Sequence, residues 1–211
     1  MRVLTSRPWI SPDRLEQDWR LSVVTPPASL PVTVEEAKKH IRLICFDGSD
    51  DFDGFEDGLI EGMIGAAVDE VDAPNGWLGR SLVPRTLRLT LDSYPRSIIR
   101  LPGVPVTDVL SVKYTDEAGD EQTITDFETD LTAEPAILWT RTGWPSMKDE
   151  PARMRIEYTA GYPDGVPDII KQWILIKVAD YYAQREGIIV GTIVANLQYV
   201  QRMLDNMRVM W

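Results

Sequence analysis

Seven acids crowd one short stretch of this chain: Asp47, Asp50, Asp51, Asp53, Glu56, Asp57 and Glu61. Oxygen-rich segments of this kind bind calcium, and Asp47, Asp51, Asp53 and Asp57 are the candidate ligands. The spacing argues against an EF-hand. With Gly54 as the invariant glycine, Ser49 falls at the first ligand position and Ile60 where a bidentate glutamate belongs. The plainer reading is acids at a helix N-terminus, where the dipole favours negative charge. His40 is the one histidine, so no multi-histidine zinc site or proton relay can be built within one chain. Cys45 follows it by five positions, which on a helix puts the two on different sides and argues against a Cys–His nucleophile. Gly76, Gly79 and Arg80 lack phosphate-loop spacing. The run Gly161 to Gly165 leads into Pro167 and Asp168, an acid that would repel an anion. The serines form no G-x-S-x-G elbow. No catalytic set emerges, and nothing calls for a cofactor or a metal.

The second signal is aromatic and sulfur-bearing. Trp173, Tyr181, Tyr182, Tyr199, Met203, Met207, Met210 and Trp211 gather in the C-terminal part, while Trp9 and Trp19 stand in the N-terminal part. They either fill a core between two helices or form a surface that meets other chains, where aromatics and methionine are enriched. The terminal Val209-Met210-Trp211 is too apolar for a free tail. The two N-terminal tryptophans dock either on the protein's own body or on a neighbouring subunit.

These side chains need elements to hold them. Residues 167–187 read as a long helix, opened by Pro167 and Asp168 and stopped by Gly187. Its apolar residues, Ile169, Ile170, Trp173, Ile174, Leu175, Ile176 and Val178, point in nearly every direction, which predicts burial on most sides. Lys171, Lys177 and Asp180 interrupt the run and argue against a membrane span. Thr33-Val34-Glu35-Glu36 is a capping box that opens a helix through about Leu43. A second helix is expected from about Asp51 to Asp72, with Leu59, Ile60, Met63, Ile64, Ala67, Val68 and Val71 at helical spacing. Gly54, Gly58, Gly62 and Gly65 weaken it by roughly 1 kcal/mol each, so packing must hold it. A last amphipathic helix is expected over Val194 to Trp211.

Between these the period becomes two. Leu87, Leu89 and Leu91 alternate with Arg88 and Thr90, and further short strands are expected at Ile98 to Leu101, Val106 to Tyr114, Glu121 to Ile124, Ala136 to Trp139 and Arg153 to Tyr158. The fold class expected is α+β: a helical bundle, with an N-terminal helix pair and long C-terminal helices, into which a small antiparallel β module is inserted. The expected divisions are an extended arm over 1–30, in which Pro12 to Leu21 forms at most a short helix, a helical hairpin over 31–80, the β module over 81–160, and the central helix with a C-terminal helix or tail over 161–211. The two helical parts are expected to pack as one domain.

With 211 residues and 44% hydrophobic composition the chain can build a real core. Its 33 acids against 22 Lys and Arg give a net charge of −11, which opposes a function that grips nucleic acid by neutralising phosphates. The N-terminus shows no apolar signal core, and a single cysteine excludes an internal disulfide; both suit a cytosolic start.

The order of these pieces is itself recognisable. LPVTVEEAKKHIRL, then GLIEGMIGAAVDEV, LVPRTLRLTLDSYP, IIRLPGVPVTDVLSVKYTDEAGDEQT and RIEYTAGYPDGVPDIIKQWILIKVADYYAQREG resemble the tailed-phage head–tail connector (adaptor) proteins of the gp6-like and phiE125 gp8-like type, over about residues 30 to 187. The chain departs from them in the glycines of its second helix, where alanines are usual. The resemblance implies a structural adaptor, not an enzyme, that forms a ring, typically a dodecamer, under the portal protein of a phage or gene transfer particle. A stopper or tail protein would lie below, and DNA would pass through without specific binding. It places the protein in the virion, assembled in the bacterial cytoplasm, and away from membranes. The rival readings are another virion component, such as a tail-completion or baseplate subunit, and a calcium-dependent binding module built on the acidic cluster.

Overall fold

A computed structural model of the chain describes residues 19–43, 56–95, 97–184, 200 and 202–209. Eight strands and three α-helices occur among them. The strands are β1 (Trp19–Thr25), β2 (Arg85–Leu91), β3 (Ile98–Leu101), β4 (Val106–Thr115), β5 (Glu121–Thr123), β6 (Glu128–Asp130), β7 (Ala136–Trp139) and β8 (Met154–Ala160). The helices are α1 (Val34–His40), α2 (Asp57–Val71) and α3 (Asp168–Ala183). The fold is therefore mainly β, which corrects the expected helical bundle with long C-terminal helices. α3 stops at Ala183, and of the expected last helix the described part is helical only at Val200 and Arg202 before a 3-10 turn at Asp205–Met207. The continuous apolar run of α3 dominates the sequence signal, whereas several of the strands are only three or four residues long and partly polar. Among the described residues no helix is long and apolar enough to cross a membrane.

Five strands form one antiparallel sheet in the order β1-β2-β8-β4-β5, and three form a second in the order β3-β7-β6. The alternation in β2 and β8 decides which face is covered. Leu87, Leu89 and Leu91 pair across with Tyr158, Ile156 and Met154 and all six are buried, while Arg88 and Glu157 stay on the open face. Ile99 and Leu101 of β3 and Ala136 and Leu138 of β7 join the same core from the second sheet. Tyr158 is fully buried there, and its hydroxyl donates to the Pro102 carbonyl at 2.8 Å. Such a hydroxyl needs a partner, because leaving it unpaired costs 1 kcal/mol or more.

Strand β1 lies within the extended arm expected over residues 1–30. Its Trp19, Leu21 and Val23 alternate with Arg20 and Ser22 and run antiparallel to β2, with Leu21 opposite Leu89. The prolines on either side hid that alternation. β6 was missed because Glu128-Thr129-Asp130 carries no apolar residue.

The helices share a second core. Val32 and Ala37, then Ile60, Ile64, Ala67 and Val71 of α2, Ile170, Trp173, Ile174 and Val178 of α3, and Leu204 near the C-terminus all pack into it. α1 begins as its capping box demands: the Glu36 amide donates to Thr33 Oγ1 at 3.1 Å, and the Thr33 amide donates to the Glu36 carboxylate at 2.8 Å. Thr33→Ala removes one of these bonds, and about 1 kcal/mol of stability is expected to go with it; the denaturant midpoint measures the loss.

Candidate assembly surface

The sequence-predicted residues divide by where the fold puts them. Asp47, Asp51, Asp53, Trp9, Tyr199, Met210 and Trp211 lie outside the described residues. Asp57 opens α2, where its carboxylate forms an ion pair with Lys38 of α1, a side chain only 2% exposed. That carboxylate ties two helices together. Among the described residues no group of three or more His, Cys, Asp or Glu side chains is placed to hold a metal ion. His40 ends α1 half-buried.

Trp173 is 4% exposed and belongs to the helical core. Lys177 lies over both Trp173, at 5.6 Å from the ring centre, and Tyr181, at 5.1 Å, and also pairs with Glu70 of α2 at 3.1 Å. The Tyr181 hydroxyl donates to the Glu70 carboxylate, and burial, together with that carboxylate, pushes the phenol pKa well up. The Tyr182 hydroxyl donates to Glu56 at 2.6 Å. The two neighbouring tyrosines thus clamp the two ends of α2. Met203 and Met207 are half-buried against the helical core. Trp19 is 44% exposed on the edge strand β1.

Sequence reasoning missed the joint between the two cores. Asp72 and Arg85 are both buried and form an ion pair; Asp72 Oδ1 also accepts from the Leu82 amide at 2.9 Å, and Arg85 Nη1 donates to the Ala73 carbonyl at 3.0 Å. Beside them Arg80 donates to both Glu134 oxygens, at 2.8 and 2.5 Å, and to the Met207 carbonyl at 2.5 Å. The Val209 amide donates to the Leu78 carbonyl at 3.0 Å. Arg80 therefore touches the helical part, the β6–β7 loop and the C-terminal segment at once. Polar residues in a segment that leaves a helix and enters a strand are the available signal, but partners at such sequence distance are not legible.

The hydrogen bond from Arg80 holds the Glu134 carboxyl below its ordinary value of 4.5, against a smaller opposing effect of burial. A depressed folded-state pKa means the link stabilises fully above the unfolded-state value and is lost as pH falls through the folded one. Glu134 is half in solvent, so the contribution is about 1 kcal/mol or less. Glu134→Gln is expected to lower the urea midpoint at neutral pH, and the gap to the parent should close below the glutamate range.

The outer side of α2 is unusual. Ile60, Ile64, Ala67 and Val71 are buried on one side, and Gly58, Gly62 and Gly65 lie opposite them. A Cβ built on any of the three would meet nothing within 4 Å. Among the described residues nothing uses the close approach that these glycines permit. Gly58 and Gly62 join Leu59, Met63, Ala66 and Tyr181 in lining a shallow apolar depression of about 300 Å³.

No protein-family model matches the chain, and no curated protein matches it. Solved structures do. A chain in the neck of an empty GTA particle computed with C6 symmetry has a TM-score of 0.72 and 24% identity, over 91% of this chain and 96% of that one. A chain in the virion of a native gene transfer agent particle also gives 0.72, at 23% identity over 90% and 96%. A chain in the neck of a native GTA particle computed with C12 symmetry gives 0.67, at 22% identity over 91% and 96%. The likeness is one of fold, and it runs nearly end to end in both chains.

Proposed function

We propose that this protein is a structural component of the neck of a tailed-phage or gene-transfer-type particle: an adaptor of the head–tail connector type that forms a ring under the portal. The observation that carries the reading is the end-to-end likeness of fold to chains from such necks, which leaves almost no part of either chain over for a different architecture. The symmetry of those particles supports a ring, and we take twelve copies as its number. The partners are then the portal protein on one side, a stopper or tail protein on the other, and further copies of the chain around the axis. The surplus of acid, −11 overall, suits a passage that DNA crosses without being held.

Within the subunit we assign ring and portal contacts to the helical part, residues 31–80 with 161–211. The β module, residues 81–160, faces outward or tailward. The aromatic and methionine set belongs to this division: Trp173 supports α3 from within, while Tyr181, Tyr182, Met203, Met207 and Trp19 are the described members with surface left to offer.

The test is the mass of the purified chain with and without assembled portal, by native mass spectrometry or sedimentation. A ring-sized species that forms only when portal rings are present is the expected result. A chain that remains monomeric on intact portal would overturn the assignment.

A further inference from the structure

We propose that the open face of the five-stranded sheet carries a carboxylate-binding site, formed by Arg88, Lys113, Arg155 and Ser111, that takes an acidic side chain from a segment of a partner protein. The inference goes beyond the ring reading, because it gives the β module a ligand of its own, and it stands on the geometry of the sheet.

The alternation that buries Leu87, Leu89, Ile156, Tyr158 and Val112 sends their neighbours to the other face. There Arg88 lies opposite Glu157 and Glu157 opposite Ser111, while Arg155 lies opposite both Thr90 and Lys113. Partners in such a ladder stand about 5 Å apart, so β2, β8, β4 and β5 bring Arg88, Ser111, Lys113, Glu121, Arg155 and Glu157 around one pocket of about 210 Å³. Three cations meet two carboxylates there. Arg88 donates from Nε and Nη2 to Glu157 Oε1, at 2.9 and 2.6 Å, and Lys113 and Arg155 donate to the two oxygens of Glu121 at 2.8 and 2.9 Å. These bonds use only some of the N–H groups on the three cations, and one positive charge is left over. Its field is felt nearby: Lys113, with Arg155 adding to it, holds the Glu121 carboxyl below its ordinary value of 4.5. A surplus of charged donors fixed on a sheet is what an incoming oxyanion needs.

Charge and size choose the occupant. The pocket is smaller than the roughly 300 Å³ at which small-molecule sites begin, which suits one side chain of a segment lying across the sheet. Along that path the register row Arg20, Thr90, Arg155, Lys113 and Thr123 crosses all five strands without an acid. Duplex DNA fits poorly, for it presents a charge about every 1.7 Å, and this face answers with few cations on a chain of net charge −11. A net-positive pocket on an acidic chain instead complements a short run of aspartate or glutamate.

Two-dimensional NMR of the full chain titrated with hexaglutamate tests the site. Saturable shifts of the Arg88, Ser111, Lys113 and Arg155 amides are expected, fading as salt is added. Arg155→Gln with Lys113→Gln should bind roughly tenfold or more weakly, the loss expected when a charge-assisted hydrogen bond goes. Its melting temperature should hardly move, because exposed pairs contribute little. Ser111→Glu is the second variant: it leaves every native ion pair in place, puts a carboxylate of its own in the pocket and should abolish binding. Arg100→Gln, which removes an exposed cation on β3, should bind like the parent. No saturable shift, shifts that centre elsewhere, a folded variant of either pocket kind that binds like the parent, or a duplex oligonucleotide that binds the same residues more tightly than hexaglutamate would overturn the proposal. Ring formation is decided by the mass measurement above and does not depend on any of these results.

Discussion

Gly161→Ala is expected to destabilise the protein by roughly 4 kcal/mol or more, among the larger effects a single substitution produces. Gly161 has φ +129°, a region closed to residues with a Cβ, and an added Cβ would lie 2.5 Å from Pro84 N and from the carbonyl carbon and oxygen of Val83. Both obstacles are backbone, in the bend that leads straight into β2, and backbone cannot step aside as the end of a flexible side chain can. The strain alone is worth about 1–3 kcal/mol, and the collision adds to it. The site also joins the two parts of the molecule, since its amide donates to the Pro105 carbonyl at 2.8 Å just where β8 hands the chain on toward α3. Gly165→Ala is the control: φ is +101° there but nothing lies within 4 Å, so it should show strain without collision. Guanidinium midpoints of the two variants, at unchanged m-value, separate the contributions.

Asp72→Ala is expected to cost about 3–5 kcal/mol, the usual penalty for stranding one member of a buried ion pair. It would leave the Arg85 guanidinium buried with the Ala73 carbonyl as its remaining close acceptor other than the more distant Val83 carbonyl at 3.4 Å. It would also leave the Leu82 amide without its acceptor. Burial pushes the Asp72 carboxyl above its ordinary value, and Arg85 and the Leu82 amide pull it back only in part. The pair therefore adds little net stability although breaking it is costly. Replacing both partners, Asp72→Leu with Arg85→Met, should recover much of the loss, and a double-mutant cycle in urea reads the coupling. A single variant that melts like the parent would show that the joint does not depend on this pair.

How much of this was legible in the sequence depended on how local the cause was. The capping box at Thr33 and Glu36 and the alternation of Leu87, Leu89 and Leu91 act over a few residues, and both appear where the spacing put them. α3 was recognised, but its length and its all-round apolar character suggested a bundle, because a continuous apolar run weighs more heavily than several strands of three or four residues. The balance of the fold was therefore misjudged. For the candidate surface, Trp173 and Tyr181 could be named from composition, whereas which side each would face could not. The glycines of α2 were expected to serve close packing; that they lie opposite the buried side is a property of three-dimensional placement. The joint at Asp72, Arg80 and Arg85 stayed hidden because Glu134 and Met207, its partners, come from far along the chain.

The strand order also constrains when this protein can become itself. β8, the last strand among the described residues, stands at the middle of the five-stranded sheet, and β1, the first described strand, hangs on β2 with Ser22 and Arg88 66 residues apart. Contacts this distant form slowly. As the chain leaves the ribosome, the early strands have no centre to assemble on until residues 154–160 emerge, and the helical core must likewise wait for α3. Neither core can settle until β8 and α3 have both been made, so the two parts form together rather than one after the other in chain order.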